Sequence, residues 1–128
     1  MVVTKQLSVM VENKRGALAE LCSRLAEKAV NIVGLMVPEQ TGVATIRLVV
    51  NNIDTARKVL TAMGLNFREE DVLAVQVSNR PGALGKLTRK LADHNLDVKY
   101  VYATIARGAD KATVILALSE TSAIATIK

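Results

Sequence analysis

The sequence contains no tryptophan, one cysteine and one histidine in 128 residues. A single thiol, Cys22, excludes a disulfide framework. With His94 as the sole imidazole there is no His/Cys cluster to supply metal ligands, and because His94 and Cys22 fall in different halves of the chain no nucleophile–base pair of those types is expected. Aromatic residues are nearly absent, at 2%, so the core must be built from Val, Leu, Ile and Ala, as a helix-on-sheet layer requires. No apolar run approaches the roughly 20 residues of a membrane helix, and there is no signal peptide, so a cytoplasmic protein is expected. A block of one charge is lacking too. The net charge of +5 divides as eight basic against five acidic residues up to Asn66, and nine against seven beyond it. Lys14-Arg15 and Arg89-Lys90 are the densest basic pairs. Such a pattern reads as solvated faces with a mild preference for anions.

What is present is a repeat. Asn13-Lys14-Arg15-Gly16-Ala17-Leu18 runs into Leu21, Leu25 and Ala26 and ends at Asn31-Ile32; Asn79-Arg80-Pro81-Gly82-Ala83-Leu84 runs into Leu87, Leu91 and Ala92 and ends at Asp97-Val98. The offset is 66 residues, with seven identities over twenty positions, where chance gives about one. Each copy follows a run of strand character, at Leu7–Val11 and Val72–Val77. After each glycine, apolar residues recur at the i, i+3, i+4, i+7, i+8 spacing of a helix with one buried face. Gly16 and Gly82 therefore sit at strand-to-helix turns, where glycine permits a tight bend and the close approach of another group. The N–H groups and dipole of the helix start attract an anion or carboxylate. Asn13 and Asn79 can shape the turn by local hydrogen bonds.

Read in order, the first copy is a strand at 5–11, a helix at 16–29, a strand at 31–37, a Pro/Gly turn at 38–42 and a strand at 43–50. A helix at 55–63 follows, capped by Asn52 or Asp54 and stopped at Gly64. Residues 65–77 read as one long strand, closing copy one and opening copy two. Copy two repeats the pattern with a helix at 82–94 and strands at 97–104 and 111–118. Its hairpin is two residues longer, so Ala44-Thr45-Ile46 aligns with Ala112-Thr113-Val114 at offset 68. From Ser119 the chain matches only the start of the next helix, which leaves copy two without its fourth strand. Because an open sheet edge is usually covered, another part of the chain or a second subunit is expected there. Two units of roughly 60 residues are each small for a generous core.

The strand, Asn-x-x-Gly-Ala-Leu, the helix leucines and the following Asn-Ile or Asp-Val together resemble the ACT domain family. Asn79–Leu84 is close to that family's usual motif, while Arg15 stands where Pro is common. The resemblance covers nearly the whole chain as a tandem pair. It implies an α+β fold of two ferredoxin-like (βαββαβ) units, residues 1–70 and 71–128, each an antiparallel sheet with helices on one face, the second truncated at its C-terminus. It further implies a regulatory module that binds a small molecule, most often an amino acid, where units meet. Such a module acts as a homodimer or higher oligomer, or on a regulated enzyme in trans. The ligand contacts implied are Asn13, Arg15, Gly16, Ala17 and Leu18 with Asn31 and Ile32, and Asn79, Pro81, Gly82, Ala83 and Leu84 with Asp97 and Val98. A ligand's α-carboxylate suits the helix N–H groups, and Asn31, Asp97 or nearby carbonyls could accept from its ammonium.

Other residues read more plainly. Cys22 lies on the apolar helix face and is expected to be a buried structural thiol. His94 near a helix C-terminus complements the dipole. Tyr100 and Tyr102 alternate along a strand and line one side of it, either an interface, which is favoured, or an exposed sheet face. Glu69-Glu70-Asp71 reads as a solvated acidic run rather than a catalytic pair. No catalytic residues, cofactor or metal are expected, and no membrane partner. Two rival readings are a ligand-free adaptor and an RNA-binding protein. Gly82-Ala83-Leu84-Gly85 has the Gly-x-x-Gly form of KH loops, but it follows a strand instead of joining two helices, and stacking aromatics are few.

Overall fold

The computed structural model describes residues 2–12, 14–38 and 42–120. Six strands and three helices run in the order β1 (Val2–Glu12), α1 (Ala17–Glu27), β2 (Ile32–Met36), β3 (Val43–Val50), α2 (Ile53–Ala62), β4 (Asn66–Ser78), α3 (Ala83–Asp93), β5 (Val98–Thr104) and β6 (Lys111–Leu118). Met1, Asn13, Glu39–Thr41 and residues 121–128 lie outside the described residues, and with them part of the expected turn at 38–42 and most of the expected helix after Ser119. The chain divides into two compact units, Lys5–Glu70 and Met1–Thr4 with Asp71–Lys128. The long strands β1 and β4 each contribute residues to both units.

The Lys5–Glu70 unit has the strand order β2-β3-β1-β4. β1 pairs antiparallel with β3, with Val9 opposite Ile46 and Val11 opposite Ala44. β2 pairs antiparallel with β3, broken by a bulge between Ile32 and Gly34. The two-residue period of a strand puts Leu7, Val9 and Val11 of β1 and Ala44, Ile46 and Leu48 of β3 on one face, where Leu21 and Leu25 of α1 and Ala56, Val59 and Leu60 of α2 cover them. Burial of each such leucine contributes roughly 1.5–3 kcal/mol. Asn52 caps α2, its side chain accepting from Thr55 N–H at 3.1 Å.

The other unit repeats this plan. Its order is β1-β4-β6-β5, with Val75 opposite Val114 and Val77 opposite Ala112. Those pairs are the equivalents of Val9–Ile46 and Val11–Ala44 at offsets 66 and 68. The β2 bulge recurs in β5 between Val98 and Tyr100. Leu87 and Leu91 of α3 close over Leu73, Val114, Leu116 and Leu118. In the first unit the fourth strand lies beside β1; the matching place beside β4 is taken by the start of β1. Residues 2–4, expected in the first unit, thus group with the second and supply the covering segment that its sheet edge needs.

Three expectations are corrected, and the tyrosines are placed. The buried stripe of the helices is narrower than the apolar spacing suggested, because Leu18 and Leu84 are 40% and 44% exposed and Ala26 and Ala92 face solvent. Cys22 is only partly buried. Tyr100 and Tyr102 are half-buried opposite Ala117 and Ile115, on the face of β6 away from Val114 and Leu116. The acidic run is not merely solvated. Glu69 receives two hydrogen bonds from Arg57, Nε to Oε2 and Nη2 to Oε1, both 2.7 Å, and Glu70 accepts from the buried Ser8 hydroxyl.

Helices α1 and α3 end alike. Val30 N–H reaches Leu25 O and Leu96 N–H reaches Leu91 O, both at 3.0 Å, which throws Ala29 and Asn95 into the left-handed region at φ 57° and 59°. Asparagine tolerates that conformation and alanine does not. Ala29→Gly should therefore raise stability by about 1 kcal/mol in denaturant unfolding. The Arg57 guanidinium holds the Glu69 carboxyl below its ordinary value of 4.5. A lowered native pKa means stabilisation present above that value and lost as pH falls beneath it. Glu69→Gln should lower Tm at pH 7, with the difference from the parent chain shrinking below about pH 4.

Candidate functional site

Each elbow is built the same way. At the first, Lys14 N–H donates to Glu12 O at 2.9 Å, Ala17 N–H to Lys14 O at 3.2 Å and Glu20 N–H to Gly16 O at 2.9 Å; at the second, Arg80 donates to Ser78 at 2.9 Å, Ala83 to Arg80 at 3.3 Å and Lys86 to Gly82 at 3.0 Å. Gly16 and Gly82 hold φ of 85° and 89° as the N-cap residues of α1 and α3, and neither helix start has a side-chain cap. With Ala17 and Ala83 N–H turned back to the loop, the N–H groups next along the first turn are left to solvent or to a ligand. Asn79 does not project into this space. Its backbone N–H donates to Asp110 O at 2.8 Å and its Nδ2 to Ala109 O at 2.9 Å, which ties the elbow to the β5–β6 turn.

An open cavity lies at each elbow. That of Gly82 has a volume of about 730 Å³ and is lined by Val77, Ser78, Arg80, Pro81, Gly82, Ala83, Lys86, Leu87 and Lys90. That of Gly16, about 410 Å³, is lined by Val11, Glu12, Lys14, Arg15, Gly16, Ala17 and Glu20, with Met63 and Leu65 from the end of α2 and the stretch after it. Of the expected contacts, Arg15, Gly16 and Ala17 are gathered at one cavity and Pro81, Gly82 and Ala83 at the other. Leu18 and Leu84 stand exposed beside the cavities without lining them, and Asn13 lies outside the described residues.

The strand starts are elsewhere. β1 and β2 are both antiparallel to β3 and hence parallel to each other, so the elbow after β1 and the start of β2 fall at opposite ends of the sheet. Glu12 faces Val43 and Ile32 faces Val50, a separation along β3 of about 23 Å. Ser78 opposite Lys111 and Val98 opposite Leu118 repeat the relation. Asn31 and Asp97 there have backbone duties in common. Asn31 N–H donates to Asn51 Oδ1 at 2.9 Å and Asp97 N–H to Ser119 Oγ at 3.1 Å, while Asn51 and Ser119 N–H return bonds to the carbonyls of Asn31 and Asp97 at 3.0 and 2.9 Å. No unit brings Asn31-Ile32 or Asp97-Val98 to its own elbow.

A third cavity, about 830 Å³, opens between the outer faces of α1 and α2 among Glu20, Arg24, Glu27, Lys28, Thr55 and Lys58. The sequence carried no sign of it, since it arises where two helices far apart in the chain lie together. Gly85 is inside α3, so Gly82–Gly85 is a helix start rather than a loop between helices. His94 is the C-cap of α3, its Nδ1–H donating to Lys90 O at 2.8 Å. Among the described residues, no group of three or more His, Cys, Asp or Glu side chains could hold a metal ion, and no helix is long and apolar enough to cross a membrane.

The repeated elbow on a ferredoxin-like unit defines the class, and comparison with known proteins agrees. The profile of the ACT domain pair matches residues 1–123, and the chain belongs to that family, whose domains are regulatory. Among solved structures, protein BT0572 from Bacteroides thetaiotaomicron is similar with TM-score 0.89 and 29% identity, over 98% of this chain and 85% of that one. The ligand-free regulatory subunit of aspartate kinase from Thermus thermophilus gives TM-score 0.63 at 13% identity, over 91% and 87%. That from Thermus flavus gives 0.60 at 12%, over 90% and 85%. At such identities the aspartate kinase subunits share the fold with this chain. No curated protein matches the sequence.

Nothing stands within 4 Å of a Cβ added at Gly82 or Gly85, yet Gly82 alone of the two has positive φ. Gly82→Ala should lose about 1–2 kcal/mol in chemical unfolding through backbone strain, whereas Gly85→Ala, inside α3, should gain about 1 kcal/mol.

Proposed function

We propose that the chain is a sensor that binds a small molecule, an amino acid or a closely similar carboxylate metabolite, at its glycine elbows. It has no catalytic activity of its own, works in the cytoplasm as a homodimer or higher oligomer, and reports to an enzyme in trans. The observation that carries this reading is the Gly82 elbow, where an uncapped helix start opens into a cavity of about 730 Å³ with cationic walls. That volume accommodates a metabolite, and the N–H groups and dipole there favour a carboxylate. ACT domains as a class bind amino acids in regulation, which agrees with the chemistry of the elbow.

The Gly82 cavity wall holds no carboxylate to accept from the ligand's ammonium. Asn31 or Asp97 lies at the far end of its own unit, so in this reading a neighbouring chain offers it. Binding would then favour one assembly over another and pass to the partner by population shift.

A thermal-shift screen of the full chain against the twenty amino acids tests the proposal. At ligand a hundredfold above Kd the stabilisation should be about 2.7 kcal/mol, and binding should weaken in Gly82→Ala beyond what its lower stability explains. If no amino acid or carboxylate shifts Tm while an RNA probe is retarded at physiological salt, the sensor reading is wrong and the nucleic-acid reading replaces it.

A further inference from the structure

We infer that the two elbows differ in the ligand charge they select: the Gly82 cavity takes a small dicarboxylate, its two anionic groups about one helical turn apart, and the Gly16 cavity does not. This rests on the reading that the elbows bind metabolites, and adds the chemical class and the site.

The repeat provides an internal comparison. Four charged residues line the Gly16 cavity, Glu12, Lys14, Arg15 and Glu20, two of each sign. Three of the four are also engaged. Lys14 Nζ lies 3.5 Å from Glu12 Oε2, and Glu20 Oε1 lies 3.5 Å from Arg24 Nη1. At the 66-residue offset Glu12 becomes Ser78 and Glu20 becomes Lys86. The Gly82 cavity is consequently lined by Arg80, Lys86 and Lys90 with no carboxylate at all, and none of the three makes an ion pair among the described residues. The lining charge thus goes from 0, two cations less two anions, to +3.

Their arrangement also matters. Gly82, Lys86 and Lys90 fall at i, i+4 and i+8 and share one face of α3. One carboxylate at the helix start meets the first-turn N–H groups and Arg80. A second, one turn or about 5.4 Å further along, meets the ammonium groups of Lys86 and Lys90. A monocarboxylate satisfies half of this column and leaves the rest to water. At the Gly16 elbow Glu20 occupies the place of Lys86 and repels a second anion.

The test is a titration of the full chain at fixed ionic strength, followed through the backbone amide signals of Gly16 and Gly82. Succinate and aspartate should each bind at Gly82 roughly tenfold or more tighter than butyrate and alanine; succinate alone doing so marks a plain dicarboxylate site, aspartate alone an amino dicarboxylate site. Lys86→Glu, an exposed change that restores the charge of the first copy, should abolish the preference, and Glu20→Lys should create one at Gly16. Equal affinity for the mono- and dicarboxylates, an unchanged preference in Lys86→Glu, or inorganic phosphate binding as tightly as succinate would overturn the inference. Alanine binding as tightly as aspartate at Gly82 would overturn it while leaving the sensor reading intact. Silence of both glycine signals towards every amino acid and carboxylate would overturn both.

Discussion

The left-handed backbone at Gly16 and again at Gly82 is the constraint from which the rest of each unit follows. A strand that must become a helix within four residues has to bend through a conformation that costs an L-residue about 1–2 kcal/mol. Glycine removes that cost, and the bend sets the helix down with Leu21 and Leu25, or Leu87 and Leu91, over the apolar face of the strands. The same bend leaves the helix start without a capping side chain. The bend the fold requires and the donors that a proposed carboxylate ligand would use thus have one origin.

Around the elbows the two copies agree where backbone geometry is at stake. The strand registers, the bulges in β2 and β5, the left-handed residues at Ala29 and Asn95 and the reciprocal bonds of Asn31 with Asn51 and Asp97 with Ser119 are all duplicated. They diverge in side-chain charge. Hydrogen-bond ladders and tight turns admit few alternatives, whereas a charged residue on a helix face can change sign with little effect on stability. A duplicated frame with unequal charge is how one fold can hold two sites of different selectivity.

Much of the fold was legible in the residues. Val43–Val50 and Lys111–Leu118 alternate over the lengths seen, the long strand from Asn66 to Ser78 was visible as an unbroken extended run, and Asn52 was a cap by residue type. Periodicity misled at Leu18, Leu84, Ala26 and Ala92, because helical spacing marks a broad apolar stripe and two leucines per helix fill the contact with the sheet. The acidic run was misread for a related reason: the partners of Glu69 and Glu70, Arg57 and Ser8, lie 12 and 62 residues away in sequence.

The sequence by itself determined the repeat, the position of each elbow and the need for one-sided helix packing, since these depend on local backbone preference and on the spacing of apolar residues. Only the tertiary structure decided that residues 2–4 join the second unit, that Asn31 and Asp97 stand a sheet's length from their own elbows, and that three cations without a carboxylate surround Gly82. The reason is that strand order and direction are long-range properties. They follow from which edges pair once the chain is compact, and no local pattern of residues encodes them.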